Sequence, residues 1–196
     1  MALFNERLTE DYFREIVYGL KKEIDSLDED DIINYKPAFV EKLIEKYKID
    51  TTFSIDKIIK ADFRTAKLEN SISTSTQSGK VEVIVVDYVY NISGNSTLLS
   101  LKPSIYSNYL FDVRIFDNAI KITVNTDYDD PNLNDQQLNI IKSKRDSIIG
   151  VIKDNVNNVI KDCEAFNKVI EEEILNLIEI RKNAIIQHRD IKNKLI

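Results

Sequence analysis

The feature that most constrains the fold is a long run of apolar residues in the last third of the chain, spaced mainly three or four positions apart. The run consists of Leu138, Ile141, Ile148, Ile152, Val156, Val159, Cys163, Phe166, Ile170, Ile174, Leu177 and Ile185. Its two wider gaps fall where Arg145 and Arg181 occupy the same face. Because no Gly or Pro follows Gly150, one helix could extend from about 133 to 193, roughly 90 Å in length. A stripe this long is typical of a coiled coil or of a helical hairpin.

Such a stripe must be covered, either by the rest of the same chain or by a second copy. We expect the packing residues to be Ile152, Val156, Val159, Phe166, Ile170, Ile174 and Leu177. The pattern does not decide which of them belong to the core and which to an interface between chains. Because the stripe is longer than we expect a domain of this size to cover by itself, the sequence predicts a homo-oligomer.

The preceding residues, 1–130, are predicted to form an α+β domain. Apolar residues at helical spacing predict two short helices, about 9–25 and 37–48, and Pro37 suits the first turn of the second. From about 53 to 126 the chain becomes rich in Ile, Val and Tyr, which favour strands. In "KVEVIVVDYVYNI" both faces are nearly apolar, which predicts a central strand, and "TLLSLKP" predicts another strand.

The clearest local signal is "VRIFDNAIKITV", in which two alternating segments flank Asp117-Asn118. Asp and Asn tolerate the positive φ of a tight turn, so this segment predicts an antiparallel hairpin. The Ser/Thr-rich "NSISTSTQSG" predicts a loop. The fold class is therefore α+β, with an N-terminal helix pair, a small and mainly antiparallel sheet, and long amphipathic helices over 131–196. These helices form a helical hairpin or a coiled coil, packing on the sheet or self-associating.

The residues that commonly carry chemistry do not form a recognisable site, so we predict no catalytic residues, no cofactor and no metal. His188 lies in a charged helical segment, and Cys163 lies on the apolar stripe, where it is best interpreted as core. The segment from Asn125 has oxygens with the spacing of a calcium loop, but Asp130 and Gln136 stand where that loop needs Gly and Glu. The four glycines are placed so that neither common phosphate-binding glycine motif can be built.

The overall charge and hydropathy limit the possible partners. A net charge of −6 and a pI of about 5.0 argue against direct binding of nucleic acid. No apolar run approaches the roughly 20 residues of a membrane span, so we expect no membrane partner. The single cysteine and the lack of a secretory leader pattern predict a cytoplasmic protein. Heavy use of Ile, Asn, Lys and Asp is typical of a low-GC bacterial proteome.

Four segments carry a resemblance to a known family. They are "LKKEIDSLDEDDIINYKPAFVEKLIEKYKID", "LLSLKPSIYS", "VRIFDNAIKITV" and "DCEAFNKVIEEEILNLIEIRKNAIIQHRD". The last is similar to a recurring pattern of Phe-Asn, a short spacer and a further helix, although the spacer often ends in Pro and Val169-Ile170-Glu171 does not. The chain thus resembles the N-terminal region of bacterial multidomain proteins in presumed anti-phage defence. In these proteins the module precedes an effector, for example a TIR or restriction-endonuclease-like domain.

The resemblance implies a helical hairpin, about 133–165 and 168–193, docked on the sheet and followed by an effector. We therefore expect a non-catalytic oligomerisation or regulatory module that positions or restrains a C-terminal effector domain. Two alternatives stay open for the last third of the chain, which are one continuous helix and a hairpin that breaks near Asn167.

An alternative function is that of a sensing domain, which would bind a nucleotide signal or a phage protein through the sheet. Its ligand face would consist of Tyr88, Tyr90, Tyr106 and Tyr109, because tyrosine supplies both a stacking surface and a hydroxyl group. The competing interpretation of these side chains is packing on a half-buried sheet.

Overall fold

The computed structural model describes residues 3–4, 6–69, 80–107, 112–116 and 118–195. The elements in chain order are β1 (Arg7–Leu8), α1 (Thr9–Ser26), α2 (Glu29–Ile33), α3 (Pro37–Tyr47), β2 (Phe53–Glu69), β3 (Lys80–Gly94), a 3-10 helix (Ser96–Leu99), β4 (Leu101–Lys102), β5 (Asp112–Phe116), β6 (Ala119–Asn125) and α4 (Asp135–Leu195). The predicted α+β class is confirmed, with N-terminal helices, an antiparallel sheet and a long C-terminal helix. The loop predicted for "NSISTSTQSG" lies outside the described residues.

The main sheet has four antiparallel strands in the order β2-β3-β6-β5. The strand predicted as central, β3, lies between β2 and β6, and it pairs Val86 with Val124. The predicted hairpin is confirmed as β5 and β6, which pair Ile115 with Ile120, while Asp117 of its turn lies outside the described residues. At the other edge, β2 is 17 residues long and pairs with β3 along its length.

One predicted strand is only partly present. The first three residues of "TLLSLKP" lie in the 3-10 helix, and the strand is limited to the two-residue β4 before Pro103, in parallel pairing with β1. The physical reason lies at Asn95, whose side chain accepts a hydrogen bond from the N–H of Thr97 and so caps a helical turn. Leu98, Leu99 and Leu101 then all reach the core, with no exposed surface.

The N-terminal helix pair is confirmed, and a further short helix, α2, connects α1 to α3. The apolar faces of the three helices pack inward, so that Leu20, Ile24, Ile32 and Leu43 are buried. The same core contains the inner face of the sheet, which carries the side chains of Ile84, Val86, Tyr88, Tyr90, Ile120 and Ile122. The helices and one face of the sheet therefore enclose a single core.

Helix α4 is continuous over 61 residues, about 90 Å at 1.5 Å per residue. Of the two alternatives, the structure has the single helix, and no break occurs near Asn167. Both members of the Phe-Asn pair contact neighbouring elements from within the helix. Phe166 stacks on Phe13 of α1 at a centroid distance of 4.6 Å, and Asn167 bonds the backbone of Ile49. Since no Pro follows them, nothing interrupts the helical hydrogen bonds there.

Candidate interaction surfaces

The apolar stripe of α4 lies in the core of the same chain. Six of the seven predicted packing residues are buried and the last is half-buried: Ile152, Val156, Val159, Phe166, Ile170 and Ile174, followed by Leu177. Helices α1, α2 and α3 and strand β6 all contact α4. The stripe therefore has an intrachain partner along its length, so a second copy could bind it only if the domain opened.

Arg145 and Arg181, the two arginines of the stripe, are half-buried at its two interruptions. The guanidinium of Arg145 lies 5.2 Å from the centre of the Tyr88 ring, a cation–π contact with the inner face of the sheet. Arg181 is half-buried and, with Lys21 and Asp25 of α1, lines a small cavity of about 130 Å³. Each wider gap in the stripe is thus occupied by a half-buried arginine.

The four tyrosines proposed as a ligand face do not come together as one open surface. Tyr88 and Tyr90 are each only 7% exposed and belong to the core. Tyr106 follows β4 and packs near Phe4, with a centroid distance of 6.4 Å. Tyr109 lies outside the described residues. The two strand tyrosines fit the competing interpretation, which is packing, because a ligand could not reach their rings without displacing the core.

Sequence reasoning missed four polar residues of α4 that bind loop segments, and we call them the anchor residues: Asn155, Asn158, Asp162 and Asn167. Asn155 accepts from the N–H of Ser107 at 3.0 Å and donates to its carbonyl at 3.1 Å. Asn158 donates to the carbonyl of Ile105 at 3.0 Å. Asn155 and Asn158 thus bind main-chain groups of the segment that follows β4.

The remaining two anchor residues bind Ser104 of the same segment and two other parts of the domain. Asp162 accepts from the N–H and hydroxyl of Ser104 at 2.8 Å and 2.7 Å, and from the hydroxyl of Thr9 at 3.0 Å. Asn167 forms two hydrogen bonds with the backbone of Ile49: it accepts from the N–H and donates to the carbonyl, both at 2.8 Å. A sequence signal existed, since Asn155 and Asn167 interrupt a helix surface next to the stripe, but their partners could not be read from it.

The outer face of the sheet carries a charged cluster centred on Asp87 of β3. Its carboxylate accepts from Arg64 of β2 at 2.9 Å, from Lys121 of β6 at 3.0 Å and from the hydroxyl of Thr123 at 2.7 Å. Burial alone would raise the pKa of Asp87, but these hydrogen bonds outweigh it and hold the pKa well below its usual range. The cluster ties three adjacent strands together and keeps Asp87 ionised.

The outer edge of β2 is the longest exposed strand edge of the described sheet. No described strand pairs with this edge, because β2 is the first strand in the sheet order. Two large apolar side chains lie on it, Ile59 and Phe63, which are 58% and 60% exposed. An open edge of this length presents unpaired N–H and C=O groups and is a template for pairing with another chain.

The short helices form a cleft of about 650 Å³ on the other side of the core. Its lining combines Tyr35 and Phe39 with charged residues of both signs, among them Asp30 and Lys42. Next to it, Arg189 of α4 forms ion pairs with Glu29 at 3.0 Å and with Asp30 at 2.9 Å. These exposed pairs add little stability individually, but they hold the C-terminal part of α4 against α2.

Cys163, His188 and Asp127, which the sequence offered as candidates for chemistry, lie in a buried core, on an exposed helix face and in an ion pair, respectively. Burial raises the pKa of the Cys163 thiol to about 12, with a further contribution from the carboxylates of Asp162 and Glu164. His188 is exposed on α4, and Asp127 is paired with Lys144 at 3.3 Å. Within the residues that the structure describes, no group of three or more His, Cys, Asp or Glu is arranged to hold a metal ion.

Compared with protein-family models, with curated proteins and with solved structures, the chain gives no match. Over the described part of the chain, no helix combines the length and the apolar composition needed to cross a membrane.

Proposed function

We propose that this chain is a non-catalytic module that self-associates and positions or restrains an effector domain in a bacterial defence protein. The main support for self-association is the open outer edge of β2, on which Ile59 and Phe63 are more than half exposed. The resemblance to the N-terminal region of bacterial defence proteins supports the role toward an effector. The buried stripe of α4 packs in the core of the module, and we do not place the interface on it.

The assignment as a non-catalytic module is supported by the causes of the largest pKa shifts. Strongly shifted groups often mark catalytic centres. Here the low pKa of Asp87 accompanies an ion-paired cluster between strands, and the raised pKa of Cys163 follows from burial in the core. The pKa of Tyr47 is raised to about 12 by burial and by its hydrogen bond to Glu23. Each shift thus follows from burial or from hydrogen bonds and ion pairs within the fold.

The role in positioning is supported by the continuity of α4. One helix contacts the three N-terminal helices, β4 and β6, so the orientation of its C-terminal part is fixed by the whole domain. Its last buried residue is Ile185, and the following turns expose Ile186, Ile191 and Leu195. A rigid helix that leaves the core in this way is suited to hold a neighbouring domain at a set distance and angle.

The test is the molar mass of the chain in solution, measured by light scattering over a concentration series. We expect a species of twice the 22.7 kDa of one chain, or a larger multiple, that persists on moderate dilution. A mass of 22.7 kDa at every concentration, up to the near-millimolar range, would refute self-association. The series should be repeated at high salt, because an interface that depends mainly on charge weakens under screening.

A further inference from the structure

We infer that the self-association partner binds through β2, and that two copies of this chain pair their β2 strands antiparallel about a two-fold axis at Phe63. The inference rests on the proposed self-association and adds its surface and its register. The dimer would contain one continuous sheet, to which each copy contributes its four strands. The pairing mode is edge-to-edge addition of a strand, in which the main chain supplies the hydrogen bonds.

The second half of β2 is accessible to another strand. Residues 60–65 and 67 are exposed, and they point alternately to both faces of the sheet. No described helix therefore overhangs this part of the edge. The first half of the strand is less accessible, since Phe53, Ile55 and Ile58 pack against the core.

The regularity of β2 also favours its second half. The pairing with β3 is irregular between Ile55 and Lys60, and it then runs without a shift from Lys60 to Glu69. Irregularities of this kind distort an edge and protect it from further pairing. The regular segment from Lys60 onward is thus the part of β2 that retains the geometry of a strand template.

Symmetry limits the register of the pairing. A two-fold axis perpendicular to the sheet keeps both sets of helices on one face, so opposite residues must point to the same face and a single residue lies on the axis. An axis at Asp62 would place the two Asp62 side chains opposite each other, and an axis at Arg64 would do the same for the two arginines. Like charges directly opposite each other are unfavourable in a sheet.

An axis at Phe63 removes this conflict. Asp62 of each copy then lies opposite Arg64 of the other, which gives two symmetric ion pairs, and Lys60 lies opposite Ala66. Arg64 already binds Asp87, but its side chain is 46% exposed, so part of the guanidinium remains available to a second carboxylate. The charges along the regular segment are therefore self-complementary in this register.

The same register brings the two exposed rings together. Phe63 is opposite Val86 of β3, so it projects from the inner face of the sheet, yet it lies beyond the helices and is 60% exposed. Across the axis, two such rings would be cross-strand neighbours, with Cβ atoms about 5 Å apart. Aromatic pairs at this position stabilise antiparallel sheets. The exposure of an aromatic ring on an edge strand is then explained by its burial in the dimer.

The first experiment compares the dimer dissociation constants of Phe63→Arg and Phe116→Arg with that of the unaltered chain, by sedimentation or light scattering. Phe116 is a matched control, since it is 52% exposed and lies on the other edge strand, β5. We expect Phe63→Arg to weaken the dimer at least tenfold, because it places two positive charges at the axis. We expect Phe116→Arg to leave the dissociation constant unchanged.

The second experiment tests the register by oxidative cross-linking. Phe63→Cys should form an interchain disulfide, because cross-strand neighbours at the axis meet the distance requirement. Lys67→Cys should not, because two Lys67 residues would lie about 26 Å apart along the paired strands. The native Cys163 has no exposed surface and does not compete.

The outcomes separate this inference from the proposed function. An unaltered chain that is monomeric throughout refutes both. A stable dimer that survives Phe63→Arg, or that gives no disulfide with Phe63→Cys, refutes the β2 interface and leaves self-association through another surface. A disulfide at Lys67→Cys in place of Phe63→Cys refutes the register. Far-ultraviolet circular dichroism confirms that each variant is folded, and the cross-link decides the matter if Phe63→Arg does not fold.

Discussion

Replacing Asn167 with Ala should destabilise the fold, because this one side chain fastens the segment between α3 and β2 to α4. Its Oδ1 accepts from the N–H of Ile49, and its Nδ2 donates to the carbonyl of the same residue, both at 2.8 Å. Ile49 is only 6% exposed, so water cannot readily replace the lost partners. The substitution therefore removes two hydrogen bonds and leaves two main-chain groups unsatisfied.

The expected loss follows from these two bonds. Each contributes about 1 kcal/mol net, and leaving a buried group without a partner costs about 1–3 kcal/mol. Since Asn167 is itself half-buried, the lower part of this range applies, and the total loss is about 2–3 kcal/mol. Ala is the better helix former by about 0.6 kcal/mol, which offsets part of the loss.

The assay is urea denaturation followed by circular dichroism, with Asn157→Ala as the matched control. Asn157 is exposed on the same helix, so its replacement gains the same helix propensity and removes no anchor. We expect Asn167→Ala to unfold at a lower free energy than the control by about 2–3 kcal/mol, with an unchanged dependence on urea concentration. Equal stabilities, within about 0.5 kcal/mol, would refute the argument that the anchor residues hold the loops.

Three further predictions concern other parts of the fold. The pKa of Asp87 is held below its usual range, so the contribution of its ionised carboxylate to stability is present above about pH 3.9 and is lost as the pH falls further. Asp87→Asn should therefore make the free energy of unfolding, measured by urea denaturation, less dependent on pH on the acid side. A curve parallel to that of the unaltered chain would contradict the cluster. Gly94 has a φ of +87°, and a Cβ there would lie 2.2 Å from the carbonyl oxygen of Thr52, so Gly94→Ala should lower the free energy of unfolding by about 2 kcal/mol or more. The control, Gly150→Ala in open space on α4, should instead raise it by about 0.5–1 kcal/mol, and a gain in both variants would contradict the strain. Cys163, whose pKa is raised to about 12 mainly by burial, should react with a thiol reagent only after unfolding, and rapid labelling of the native protein at pH 8 would show that the core opens.

The helical part of the fold was predictable because its signal is local. The spacing of three and four between Ile148 and Ile174 defines one face of a helix, and that face is buried along its length. Whether the helix breaks near Asn167 was not predictable from spacing. The absence of Pro after Asn167 favoured the continuous helix, but the partner of Asn167, Ile49, is 118 positions away in sequence and could not be read from the chain.

The sheet shows a second limit of sequence reasoning. Its strands and the hairpin could be read from alternation, but the surroundings of Asp87 depend on the register of three strands. The position of Asp87 in "VIVVDYV" shows that it shares a face with Val85, and nothing in that segment names Arg64 or Lys121 as partners. For the same reason Phe63 could not be assigned as exposed until the extent of the helices over the sheet was known.

The contacts of the anchor residues have a consequence for how this sequence can vary over evolutionary time. Asn155, Asn158 and Asn167 recognise peptide groups of Ser107, Ile105 and Ile49, and a peptide group is the same whatever side chain it carries. Exposed positions such as Ile105 can therefore drift in sequence while their attachment persists, whereas the asparagines on α4 cannot be exchanged without loss. A saturation mutagenesis scan would then show tolerance at the exposed Ile105 and intolerance at the asparagines of α4 that bind the loops.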